Sequence, residues 1–83
     1  MTYEEIIRQK IGEFITIAMK EREIGLNKLQ ELSGVNRTII YKIKRGENYE
    51  INSLIKIMRI LNIHLEFQLL DADNNIFGNQ NPN

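Results

Sequence analysis

Gly34 and Gly46 each sit just past a short helical pattern, and they divide residues 26–46, LNKLQELSGVNRTIIYKIKRG, into a helix, a forced turn and a second helix. A residue just beyond a helix end commonly takes positive φ, which glycine does at the least steric cost. The pattern predicts a helix over 26–33, with Leu29 and Leu32 on one side, closed by Gly34. Val35 then offers an apolar anchor, and Asn36 stands where a side-chain oxygen can cap the N–H groups of the next helix. That second helix is expected over 37–45, with Ile39, Ile40 and Ile43 three and four residues apart and facing inward together.

The opposite face of the second helix carries Arg37, Thr38, Tyr41, Lys42 and Arg45, with Lys44 and Arg45 in the last turn before Gly46. From Leu32 to Gly46 there are four basic residues and no acidic one. The whole chain has 11 basic and 11 acidic residues, so it divides into a stretch of plus four and a remainder of minus four. A formally neutral total therefore does not exclude an anionic partner, because a ligand responds to the local field.

Eighty-three residues make one domain, too small for both a deep core and a separate catalytic pocket. With no Trp and only 7% aromatics, the core has to be built from Ile and Leu. The absence of cysteine removes disulfides and thiolate metal sites. The first ten residues carry Glu4, Glu5, Arg8 and Lys10, and no apolar run reaches the length of a signal or membrane segment, so a cytoplasmic protein is expected.

Upstream of the two-helix unit, Thr2 and Glu5 have capping-box spacing, which starts a helix near Tyr3. Its inward stripe is expected to be Ile7, Ile11, Phe14, Ile15 and Ala18. Gly12 costs about 1 kcal/mol in a helix interior, so it implies a close packing contact or, failing that, a local break. Lys20 to Glu23 reads as a solvated last turn and loop. Downstream, Ile51 is expected to close onto the core, Asn52 or Ser53 to cap, and Leu54, Ile57, Met58 and Leu61 to face inward, with Lys56 and Arg59 outside.

The period then changes from helical to two. Ile63, Leu65, Phe67 and Leu69 alternate with His64, Glu66 and Gln68, as in a strand with one apolar face. No second strand precedes it, so its backbone groups need a partner. The same strand of a second copy, antiparallel across a two-fold axis, is the simplest. The rival is a hairpin turning at Asp71 to Asn75 and returning through Ile76 and Phe77, with a short return strand. The end, GNQNPN, is polar and reads as a flexible tail. Asp71, Asp73 and Asn75 alternate like the start of a calcium loop, but Ile76 and Pro82 stand where such a loop needs Gly and Glu, so no metal is expected. His64 is the only histidine, and no nucleophile, base and orienting group recur at a workable spacing. Neither a cofactor nor an enzymatic activity is expected.

The residues from Ile11 to about Leu65 resemble the lambda-repressor-like, or Xre, helix-turn-helix proteins. IGEFITIAMKEREIG is similar to the family's first helix, LNKLQELSGV to its second, NRTIIYKIKRG to its recognition helix, and SLIKIMRILNI to a following core helix. The C-terminal strand is similar to that of the HipB-type antitoxin branch, where it joins two subunits. Three positions depart from the family pattern. Leu26 replaces the Gln that grips a phosphate, Gln30 replaces a small Ala, and Met19 with Lys44 replaces an Arg–Glu pair, a loss of both partners that strands no charge.

The resemblance implies a mainly α protein: a compact four- to five-helix domain over 1–62, its turn region at 26–46, a dimerising strand at 63–70 and a flexible tail at 71–83. It implies a homodimeric, sequence-specific repressor of double-stranded DNA. The start of the second helix, Asn36, Lys44 and Arg45 would contact phosphates; Arg37, Thr38 and Lys42 would read bases; Tyr41 would serve a phosphate or a pyrimidine. Ile63, Leu65, Phe67 and Leu69 would form the dimer interface. Two alternatives remain on sequence grounds: an antitoxin that also sequesters a toxin, and a protein-interaction module that kept the fold and lost DNA.

Overall fold

In a computed structural model the chain is described over residues 1–64, and it forms four helices there: α1 Tyr3–Glu21, α2 Leu26–Ser33, α3 Arg37–Arg45 and α4 Ile51–Ile60. The expected strand beyond His64, the rival hairpin and the polar tail lie outside the described residues.

The start of α1 and the ends of the helices have local causes. At the start of α1 the Glu5 N–H donates to Thr2 Oγ1 at 3.1 Å and the Thr2 N–H donates to Glu5 Oε1 at 2.8 Å, the reciprocal pair that the spacing predicts. The bond from the Thr2 backbone, then that with its side chain, holds the Glu5 carboxyl below its ordinary pKa. Helix ends are closed by left-handed residues. After α3, Glu47 N–H donates to Lys42 O at 2.9 Å and Gly46 N–H to Ile43 O at 3.2 Å, with Gly46 at φ 76°. The same double bond closes α1 through Glu23 and Ile24, and α4 through Asn62 and Ile63. Glu23 adopts φ 55° and Asn62 φ 57°; asparagine tolerates this region, whereas glutamate has no side-chain compensation for it. Glu23→Gly is therefore expected to raise stability by about 0.5 kcal/mol, the relief of strain exceeding the added freedom of the unfolded chain. Urea denaturation measures it, and a lower midpoint would show that Glu23 is unstrained.

The core is aliphatic. Its fully buried large side chains are Ile15, Leu29, Ile40, Ile43, Ile57 and Leu61, so every helix contributes and the last comes from the cap of α4. Burying such a side chain is worth about 1.5–3 kcal/mol in transfer free energy. Met58 is only half-buried, and Lys56 and Arg59 are exposed.

Four expected inward positions are corrected. Phe14 is 55% exposed, Ile7 is also exposed, and Met19 is buried, so the inner face of α1 is turned toward Gly12 relative to the apolar stripe. The reason is that Gly12 has no side chain and lets α3 come against that face. A Cβ built on Gly12 would lie 2.5 Å from the Lys44 carbonyl oxygen and 2.6 Å from that of Ile43. The glycine is a close packing contact inside an unbroken helix. Leu32 is exposed because Val35, buried just after the turn, closes the core there instead. Ile51 is 60% exposed at the first turn of α4, which starts two residues earlier than an Asn52 cap requires and three earlier than a Ser53 cap, with Glu50 as a cap that makes no side-chain bond.

Candidate nucleic-acid interface

The turn between α2 and α3 is fastened by its own polar atoms. Gly34, at φ 76°, donates its N–H to Gln30 O at 2.9 Å. The Ser33 hydroxyl donates to Leu29 O and accepts from the Val35 N–H, which ties the end of α2 to the turn. Asn36 Oδ1 accepts from the Ile39 N–H at 3.1 Å, the predicted cap of α3. Gln30, whose side chain departs from the small residue of the family pattern, is used here: its Oε1 accepts the Arg37 N–H at 2.6 Å. Two of the N–H groups that a helix start leaves without internal partners are thus satisfied.

So held, α3 is sharply two-sided. Ile40 and Ile43 are fully buried and Ile39 is half-buried. Arg37, Thr38, Tyr41 and Arg45 are exposed and, at 100° per residue, form one outward strip. Lys42 and Lys44 are half-buried and flank this strip on opposite sides. Asn36 is exposed at the start of the helix. The structure brings Arg37, Thr38, Tyr41 and Arg45 onto one face, and it sets Lys44 apart, toward α1.

The surroundings of each cation differ. The Arg37 guanidinium donates through Nη2 to Asn27 Oδ1, so a residue of α2 holds it across the turn. The Arg45 guanidinium lies 5.7 Å from the centre of the Tyr41 ring, and its Nε is 3.1 Å from Glu47 Oε2. Both members of that ion pair are about half exposed or more, so it is worth at most about 1 kcal/mol and yields readily to a stronger anion. Lys44 lines a hollow shared with Met19, Thr16, Gly25 and Leu26, which puts the paired departures Met19 and Lys44 on the same recess. α2 begins at that recess with Gly25 as a cap that supplies no side-chain bond, and Lys20 and Glu23 line the same recess. At the C-terminal end of α3, Arg8 Nε donates to Gly46 O at 3.2 Å, which ties α1 to the end of the helix.

Asn27, Gln30 and Arg8 are the contributors that sequence reading did not assign. Their contacts span ten, seven and 38 residues, and no short-range spacing marks them. Among the described residues, no group of three or more His, Cys, Asp or Glu is placed to hold a metal, and no helix is long and apolar enough to cross a membrane. His64 is exposed at the end of the described chain, and Ile63 is half-buried against the core.

Comparison with protein families matches residues 15–71 to the Cro/C1-type HTH DNA-binding domain, a span of well over half the chain that includes α2, the turn, α3 and α4. No curated protein matches the sequence significantly.

Proposed function

The chain belongs to the Cro/C1-type helix-turn-helix DNA-binding family, and from that premise we propose that it is a cytoplasmic repressor that binds a palindromic operator in double-stranded DNA as a homodimer. The observation that carries this reading is the two-sided α3: its isoleucines lock it into the core while Arg37, Thr38, Tyr41 and Arg45 stand outward together. A helix of this kind fits the major groove of B-DNA, where each base pair presents a distinct set of donors and acceptors.

In the proposed complex, phosphate contacts set the docking. The exposed amide of Asn36 remains a donor after its oxygen has capped α3. Lys44 and the open N-terminus of α2 take a second phosphate, and Arg45 exchanges Glu47 for a third. Arg37 and Lys42 suit guanine O6 and N7, Thr38 suits a thymine methyl, and Tyr41 a phosphate or a pyrimidine. Residues 1–62 form the DNA-binding unit, and residues 63–70, the strand that carries Ile63, Leu65, Phe67 and Leu69, join two copies by antiparallel pairing of their backbone edges. The two recognition helices would then lie about 34 Å apart, one turn of DNA.

Selection from a random duplex pool is expected to return a two-fold symmetric sequence, and a pool with no enriched sequence would overturn specificity. Binding to the selected site is expected to weaken steeply with salt, with a log–log slope of roughly −5 for five or six phosphate contacts. A chain ended after His64 retains every core residue found among the described residues and is expected to sediment as a folded monomer with weakened operator affinity. If it still dimerises, the segment from residue 65 onward is not what joins the copies.

A further inference from the structure

The outward-turned apolar residues of α1 do not lie on an open helix face; they form one wall of a groove. Ile7, Ile11 and Phe14 of α1 face Leu54 and Met58 of α4, with Ile63 at the end, around a space of about 250 Å³. Nothing in the DNA interface uses it, since α3 lies on another side of α1. Lys10 also lines the groove, but the surface it exposes is hydrocarbon, so apolar side chains laid into it would be removed from water.

Where the described chain stops identifies the occupant. The cap of α4 fixes the exit direction: Asn62 turns left-handed and the Ile63 N–H donates to Met58 O at 2.9 Å. Ile63 and Met58 both line the groove, so the described chain ends at His64, one residue past its rim. The segment that follows, LEFQLL, presents Leu65, Phe67 and Leu69 at alternate positions. Alternate side chains of an extended chain are about 6.6 Å apart, whereas Ile7 to Ile11 rises about 6 Å and Ile11 to Phe14 about 4.5 Å, so three alternate side chains span about 13 Å, enough to cover the roughly 10.5 Å from Ile7 to Phe14. The family match runs on to residue 71, which makes these residues part of the domain.

We propose that residues 65–70 of the same chain occupy the groove between α1 and α4, with Leu65, Phe67 and Leu69 facing its floor. A tether of one residue gives the chain's own segment an effective concentration in the millimolar range or above, which a segment from a second copy has to exceed. Seated in this way, the segment presents Glu66 and Gln68 to solvent and keeps a backbone edge for a second copy. The proposal stands whether or not the chain binds DNA.

The test is nuclear magnetic resonance on the full chain, with protonated Phe rings and labelled Ile and Met methyls. Nuclear Overhauser contacts are expected from the Phe67 ring to the methyls of Ile11 and Met58. They are expected to keep their intensity per labelled chain when that protein is exchanged into an excess of fully deuterated protein, whose Phe rings carry no protons. Contacts that vanish on such mixing would assign the groove to a second copy's segment and overturn the proposal. Absence of any contact from Phe67 to the groove would overturn it as well, leaving the trough to a different partner.

Discussion

Replacing Gly12 with alanine is expected to destabilise the domain by about 2 kcal/mol and to weaken DNA binding with it. The added Cβ would meet Lys44 O at 2.5 Å, Ile43 O at 2.6 Å and Lys44 C at 2.9 Å, all backbone atoms. They cannot rotate away as a side chain can. The last turn of α3 is held by Gly46 N–H on Ile43 O, Glu47 N–H on Lys42 O and Arg8 on Gly46 O, so relieving the overlap means separating α1 from α3. Overpacking of this kind costs about 3 kcal/mol at the upper end of its usual range. Alanine returns about 1 kcal/mol through helix propensity, which leaves the stated loss.

Urea denaturation measures the effect. Gly25→Ala, at a position with nothing within 4 Å of the new Cβ, is the control and is expected to shift stability by no more than about 0.5 kcal/mol. An unchanged midpoint for Gly12→Ala would show that the helices can slide, and that α3 is not positioned by this contact.

Arg37→Ala is expected to cost about 1–3 kcal/mol on the preferred operator and to relax the preference at one base pair. The loss is one of readout, because Arg37 is exposed and contributes nothing to the core. Lys42→Ala is expected to behave similarly at a different base pair. By contrast, Lys44→Ala and Arg45→Ala should weaken binding evenly across sequences and each lower the salt slope by about two, one contact from each subunit of the dimer.

Asn27 separates positioning from reading. Its oxygen holds the Arg37 guanidinium from across the turn, so Asn27→Ala should lose about 1 kcal/mol of DNA affinity, the net worth of an ordinary hydrogen bond, since both residues are exposed. In the Asn27→Ala, Arg37→Ala double variant that loss should disappear into the effect of Arg37→Ala, since the two residues act through one contact. Fluorescence titration of the four proteins on the selected duplex gives the cycle. Additive losses would mean that Asn27 touches DNA independently, and an unaltered base preference in Arg37→Ala would remove it as a reader.

The local features of this fold were legible in one dimension. The bounds of α2 and α3, the Thr2–Glu5 box, the Asn36 cap and the left-handed Gly34 and Gly46 all follow from bonds between residues no more than five apart. The basic outer face and aliphatic inner face of α3 follow from the same short period, and so did the resemblance that the family match supports.

What the tertiary structure alone decided is how the pieces meet. The apolar stripe of α1 pointed to Phe14 and Ile7, but α3 packs where Gly12 leaves room, so Met19 went inside and those two went to the rim of a groove. Gln30 read as a misfit until its oxygen was found on the Arg37 N–H, and Asn27 carried no signal at all. Periodicity reports only that a helix has an apolar side. Which part of that side is buried depends on the closest approach of another backbone, and that contact joins Gly12 to Lys44 across 32 residues of chain.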